Sequence, residues 1–321
     1  MRSIGILALA ALLLAGTPAQ AQDGYPTQTV KVVVPAAPGS TTDTLARLMA
    51  DQLSRKWSKP VVVENIAGGG MNIGAERVAR SAPDGHTLLV APPGPITLHQ
   101  LLYRDLSYNP TQFVPITMLA KISNVLVARK DLPVTSVKEL IAYAKANPGK
   151  LTYASQGPDS TAHLSASQLE VLAGIKMVHV PYRGAVPALN DVVAGHIDLF
   201  FDTLTTSVPL YRGDKVKLLA VAGLTRAVAV PEIPTMAETG LPGFRSITWF
   251  GLVAPPGTPS ALSGKINRDA VEILQSQAVS DRLRELSLEV GATSPADTVK
   301  FFADETALWG KVIKESNITP Q

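Results

Sequence analysis

The sequence predicts an α/β protein of two doubly wound lobes, joined by a two-segment hinge with a ligand cleft between them. Three observations carry this prediction. Short β-branched runs alternate with amphipathic stretches, a similar strand-to-helix loop occurs in each half, and two segments look like crossings between lobes. Strands alternating with helices of about 10–15 residues imply parallel sheets covered by helices on both faces.

The first strand is expected at 29–34, where a β-branched run ends at Pro35. Residues 42–57 follow with Leu45, Leu48, Met49 and Leu53 at helical spacing. A strand at 60–66, a helix at 71–81 and a strand at 86–91 continue the rhythm. The middle section reads as helices at 138–146, 160–173 and 186–194, with strands at 151–155, 177–180, 197–201 and 216–221. The end is mostly helical, at 259–276, 279–286 and 295–316. Crossings are expected at 123–132, extended through Val125-Leu126-Val127, and at 240–251, which is rich in Gly and Pro. The lobes are then 22–123 with 247–321 (lobe 1), and 124–246 (lobe 2). Two connections between two lobes make a hinge, and ligands bind in the cleft.

The N-terminus reads as an export signal. Arg2 supplies a positive start, an apolar stretch covers 4–15, and Ala19-Gln20-Ala21 offers small residues to a signal peptidase. The apolar stretch falls short of the roughly 20 residues that span a bilayer. Cleavage after Ala21 and a periplasmic location are therefore expected.

With 29 Lys and Arg against 26 Asp and Glu, and no basic block, a nucleic-acid partner is not supported. The absence of cysteine removes disulfides, thiolate chemistry and Cys-based metal sites. The five histidines, at 86, 99, 163, 179 and 196, have no metal-protease spacing. No G-x-S-x-G nucleophile elbow is present. Neither an enzyme, a cofactor nor a metal is expected. His86 and His179 read as structural, and His163 lies close enough to the second loop to reach the cleft.

The chemistry concentrates in two loops, Val34-Pro35-Ala36-Ala37-Pro38-Gly39-Ser40-Thr41-Thr42-Asp43 and Tyr153-Ala154-Ser155-Gln156-Gly157-Pro158-Asp159-Ser160-Thr161. Each sets Gly and Pro beside hydroxyl residues at a helix start. Gly admits close approach of backbone, and free N–H groups at the positive end of a helix favour an anion. The same hydroxyls also serve as ordinary N-caps. A pair facing one cleft would grip a carboxylate from both sides. The candidates are Pro38, Gly39, Ser40, Thr41 and Thr42, and opposite them Ser155, Gly157, Asp159, Ser160 and Thr161. Ser40 and Ser160 are expected to bond the anion through their hydroxyls. Asp159 is expected to point into solvent or cap its own helix; facing the cleft, it would disfavour a second carboxylate. Asp202, at the end of a buried strand, is expected to orient the ligand. The Gly-rich turn at 65–74 fits neither a dinucleotide loop nor a P-loop, and reads as a tight turn for helix packing.

Val33-Val34-Pro35, Pro38-Gly39, Asp43 and Ala46-Arg47 resemble the opening motif of the substrate-binding proteins of tripartite tricarboxylate transporters, the Bordetella-uptake-gene type. Further matches are Val63-Glu64-Asn65 through Gly74, Ala82-Pro83-Asp84-Gly85-His86-Thr87-Leu88-Leu89, Leu151-Thr152-Tyr153-Ala154-Ser155 through His163-Leu164, and His179-Val180-Pro181-Tyr182-Arg183-Gly184 through Asp198. Leu252-Val253-Ala254-Pro255-Pro256-Gly257-Thr258-Pro259 also fits. The resemblance implies a type II periplasmic-binding-protein fold closing on a small carboxylate held by the two loops, partly through water. It nominates 38–42, 155–161, Asp202, and Thr97 within the loop 92–97. It further implies membrane subunits of a tripartite transporter as partners. A sensor signalling to a membrane kinase would use the same closed surface. Ala36, Ser40, Pro158 and Asp159 depart from the family pattern, which leaves the ligand's identity open.

Overall fold

The computed structural model describes residues 24–316 and 318–320, so the expected signal segment lies outside the described residues. The first strand, β1 (Val30–Val34), sits centrally in a three-strand parallel group. It pairs with β2 (Val61–Asn65) on one side and β3 (Thr87–Ala91) on the other. Between them run α1 (Thr41–Trp57) and α2 (Asn72–Ala79), then a tight irregular turn at Gly94–Leu98 leads into α3 (His99–Leu102). Helix α1 buries Leu45, Ala46, Met49 and Leu53, the i, i+1, i+4, i+8 face that the sequence spacing lays against β1.

The next strand, β4 (Val114–Arg129), passes from one lobe to the other without a break. Beyond it lie α4 (Val137–Ala146), β5 (Thr152–Ser155), α5 (Thr161–Ala173), β6 (Val178–Pro181), α6 (Ala185–Val193), β7 (Leu199–Thr203), α7 (Leu204–Arg212) and β8 (Val216–Val221). The chain returns through β9 (Ile247–Ala254) to α8 (Ser260–Gln275), α9 (Gln277–Glu285), β10 (Glu289–Val290) and α10 (Pro295–Glu315). The strand order is β2-β1-β3-β9-β4-β7-β5-β6, with β8 and β10 also paired to β4.

The sheets are mixed, which corrects the expectation of parallel sheets. Strand β9 runs antiparallel to both β3 and β4, and β4 runs antiparallel to β7 and β8. The reason is connectivity: β4 and β9 carry the chain in opposite directions between lobes. Strand β4 pairs with β9 as far as Ser123 and with β7 and β8 from Asn124.

At that change of partner, buried polar groups tie the two crossings together. Asn124 N donates to Ser246 O at 3.1 Å, and Ala222 N to Asn124 O at 2.7 Å. The Asn124 side chain donates to Ser246 Oγ at 2.6 Å and accepts from Thr248 Oγ1 at 2.8 Å. Each is paired, so burial carries no orphan penalty here.

Candidate functional site

Where the lobes face each other, loops at the carboxyl ends of the parallel strands enclose a cavity of about 280 Å³. Ligands of open α/β sheets collect at that end. The volume is at the small end for ligand sites and suits a small metabolite better than a nucleotide cofactor. Among the described residues, no group of three His, Asp or Glu side chains is placed to hold a metal.

The loop after β1 is shaped by Asp43. Its carboxylate accepts from Gly39 N at 2.9 Å, Arg47 Nε at 3.0 Å and Asn65 Nδ2 at 2.9 Å. Burial alone would raise the Asp43 pKa, but Arg47, the Gly39 N–H and Asn65 hold it below the usual carboxylate range. Asn65 also donates to Ala36 O at 3.1 Å, binding the loop to the end of β2. Ser40 is the N-cap of α1, accepting from Asp43 N at 3.2 Å. The mirror arrangement caps α5, where Ser160 Oγ accepts from His163 N at 3.3 Å. These caps occupy one N–H in each first turn. The N–H groups of Thr41, Thr42, Thr161 and Ala162 have no intrahelical acceptor. Thr41, Thr42 and Thr161 are themselves at the cavity wall, so the positive ends of two helices meet it from opposite lobes.

Two hydroxyl pairs bridge the lobes. Thr161 Oγ1 lies 3.2 Å from Thr248 Oγ1, whose own proton goes to Asn124. Thr41 Oγ1 lies 2.8 Å from Thr203 Oγ1, which is 3.1 Å from Thr206 Oγ1. Thr206 in turn donates to Asp202 Oδ2 at 2.6 Å, and Ser207 donates to the same oxygen at 2.7 Å. A carboxylate only accepts, so protons in this chain run from Thr41 towards Asp202. Asp202 is 1% exposed, and its Oδ1 has no hydrogen-bond partner. Burial pushes its pKa up to about 6, against the Thr206 and Ser207 hydroxyls and the Thr203 N–H.

The candidates divide clearly. Ser40, Thr41, Thr42, Gly157, Ser160, Thr161 and Asp202 come together around the cavity. Pro38 and Gly39 do not: both are exposed on the outside of the turn, and the Gly39 N–H is given to Asp43. Thr97 is buried, with its hydroxyl donated to Pro93 O at 3.0 Å; Pro92, Pro93 and Gly94 form the wall there instead. Ser155 is wholly buried beneath its loop. It accepts from Gly157 N at 3.0 Å and lies 2.6 Å from His179 Nε2.

The Ser160 hydroxyl donates to Gly157 O at 2.7 Å, so its only proton is spent within the loop rather than on an anion. His163 stacks on His179 with ring centroids 4.3 Å apart and does not line the cavity. Asp159 neither faces solvent nor caps α5. At 2% exposure it reaches across to lobe 1, accepting from Tyr103 Oη at 2.6 Å. Its Oδ2 also lies 2.9 Å from His99 Nε2.

The sequence reading missed two walls. Gly68, Gly69, Gly70 and Met71 line the cavity from lobe 1, so the 65–74 turn is more than a packing device. Packing is the role of Gly74, where a Cβ would sit 2.8 Å from Ile66 O. From lobe 2, the 181–185 loop contributes Arg183, which with Asp202 completes the charged residues of the lining. The Tyr182-Arg183-Gly184 start of α6 was a usable signal, since it is a further Gly-bearing strand-to-helix turn.

The comparisons with known proteins agree with this architecture. Residues 45–318 match the model of the tripartite tricarboxylate transporter family receptor. Protein BugT of Bordetella pertussis is 33% identical over 296 residues, 92% of this chain and 91% of BugT. The solved structure described as R. palustris Rpa4515 with adipate superposes with TM-score 0.90 at 37% identity, covering 92% of this chain and all of that one. MatC from Rhodopseudomonas palustris with bound malate gives TM-score 0.85 at 35% identity, covering 90% and 100%. The nearly full-length match in sequence and fold shows that this chain belongs to the tripartite tricarboxylate transporter receptor family.

Proposed function

We propose that the protein is a periplasmic receptor that captures a small carboxylate in this cleft and delivers it to the membrane subunits of a tripartite transporter. The observation that carries the reading is the opposed pair of helix N-termini, α1 from lobe 1 and α5 from lobe 2, meeting in a small cavity. Uncapped N–H groups at both termini suit a carboxylate. The Ser40 hydroxyl, whose recorded bond is as an acceptor from Asp43 N, keeps its proton for the ligand. Arg183 at the edge of the lining offers a counter-charge to a second acidic group. Adipate and malate, found in two related structures, are acids of this kind. The way the hydroxyls are used supports binding rather than turnover: Ser155 and Ser160 both donate to Gly157 O of their own loop.

In this reading the lobes comprise 22–123 with 247–321, and 124–246, and they close about the β4 and β9 crossings. A calorimetric screen of mono-, di- and tricarboxylates, aromatic acids and amino acids, each beside its neutral amide, tests the anion. Selective binding of an acid over its amide is expected. Equal affinity for the two, or no acid bound at all, would refute the reading. Uptake of the acid identified, lost on deletion of the membrane subunits, tests the partner.

A further inference from the structure

Asp159 stands apart from the other groups around the cavity. It is a buried carboxylate in the lobe 2 loop, yet its one side-chain hydrogen-bond donor, Tyr103 Oη at 2.6 Å, belongs to lobe 1, as does His99, whose Nε2 lies 2.9 Å from Oδ2 without hydrogen-bond geometry. Its other oxygen, Oδ1, has no partner. Separation of the lobes therefore removes the polar side chains that face the Asp159 carboxylate.

The receiving surface is built for this carboxylate. His99 is fully buried and oriented from behind: its Nδ1 lies 2.5 Å from Asn72 Oδ1, to which Tyr108 Oη also donates at 3.1 Å. Space is kept by glycine on both sides. A Cβ on Gly70 of lobe 1 would fall 2.4 Å from Asp159 Oδ2, and one on Gly157 of lobe 2 would fall 2.6 Å from Oδ1. Gly70 also has φ +61°, a left-handed conformation that favours glycine. Burial and the adjacent Asp159 charge raise the Tyr103 pKa, keeping its phenol a donor.

We propose that Asp159 is a positioning residue for ligand capture. It acts as a clasp through which the β5–α5 loop seats on His99 and Tyr103, fixing the separation of the two helix N-termini and sustaining a closed population of the ligand-free receptor. Asp159 acts through the loop and is not itself part of the cavity wall, although its partner Tyr103 is. Asp159 immediately precedes Ser160, the cap of α5, so seating one places the other. The inference rests on the hinged-cleft reading given above. A hydrogen bond to a charged group is strong enough to change a closed-to-open ratio about 10-fold to 100-fold.

The chain has no cysteine, so two introduced ones can be labelled uniquely. Spin labels at Lys59→Cys and Lys145→Cys, exposed positions on opposite lobes, report the interlobe distance by double electron–electron resonance. The ligand-free parent should show a short-distance population. Asp159→Asn and Tyr103→Phe should each lower its ratio to the long-distance population about tenfold or more. The double variant should fall no further than Asp159→Asn alone, because both act at one contact. A purely structural role would lower the melting temperature and leave the ratio unchanged.

A single long-distance population in the parent, or an unchanged ratio in both variants, overturns the clasp. Carboxylate binding by the unlabelled protein is scored separately. If no acid binds while the ratio shifts as stated, the receptor reading fails and the clasp stands.

Discussion

Asp202→Asn should stabilise the protein at neutral pH, in a pH-dependent way that identifies the cause. Wild-type Asp202 has a pKa raised from 3.8 to about 6 in the folded state, because burial disfavours its charge. At roughly 1.4 kcal/mol per unit, that displacement of about two units corresponds to about 3 kcal/mol. Below about pH 4 the group is neutral in both folded and unfolded chains and has no differential effect. Between about pH 4 and 6 the unfolded chain ionises first, so folding loses stability. Above about pH 6 both states are ionised and the full penalty remains.

Asparagine avoids that ionisation while preserving the local bonds. Its oxygen can accept from Thr206 and Ser207 as Oδ2 does, and its amide takes the place of the unpartnered Oδ1. Urea unfolding of both proteins from pH 3.5 to 8 measures the difference directly, since other titrating groups cancel. The variant's advantage should grow by about 3 kcal/mol between pH 4 and 6 and then level off. A difference independent of pH would refute the argument.

Other substitutions separate the remaining roles. Ser160→Ala should cost about 1 kcal/mol of stability through the lost cap while leaving carboxylate affinity within about twofold, whereas Ser40→Ala should weaken binding about tenfold or more; calorimetry and urea unfolding on both variants check the contrast. Arg183→Ala should weaken a bound dicarboxylate about fivefold and leave monocarboxylates unchanged, as suits an exposed ion pair; titration with both acid classes decides. Gly251→Ala places a Cβ 2.9 Å from Phe302 and 3.0 Å from Ile96 within β9, and should cost about 1–3 kcal/mol by urea unfolding.

Much of this architecture was legible where local chemistry and long-range packing agree. The β8 strand at 216–221 matches its expected bounds, and the Ser40 and Ser160 caps stand at the helix starts that their loops mark. The first half of β4 was hidden by Pro115, a residue that argues against a central strand. The structure accommodates it at a register shift between Pro115 and Thr117. Helix α7 was hidden by two threonines and the internal Pro209, all poor helix formers. At the site, the anion-favouring loops were readable because Gly, Pro and hydroxyl residues lie together in sequence. Asp159 was not, because its partners are 56 and 60 positions away on the other lobe.

The unbroken passage of β4 also has consequences for the order of assembly. Lobe 2 is one continuous stretch of chain, and β5, β6, β7 and β8 can all find partners once β4 has been made. The first lobe cannot. Its β3 must wait for β9, with Leu89 pairing to Val253, and α8 and α10 come later still. Such distant pairings are slow because the intervening chain must first be drawn together. A nascent or truncated chain ending before Ile247 would therefore present β3 and the first half of β4 as bare, hydrogen-bonding edges of the kind that recruit other chains. The C-terminal quarter thus covers edges that would otherwise recruit other chains, and if the chain is exported as proposed, it must be kept from folding or associating until that quarter has arrived.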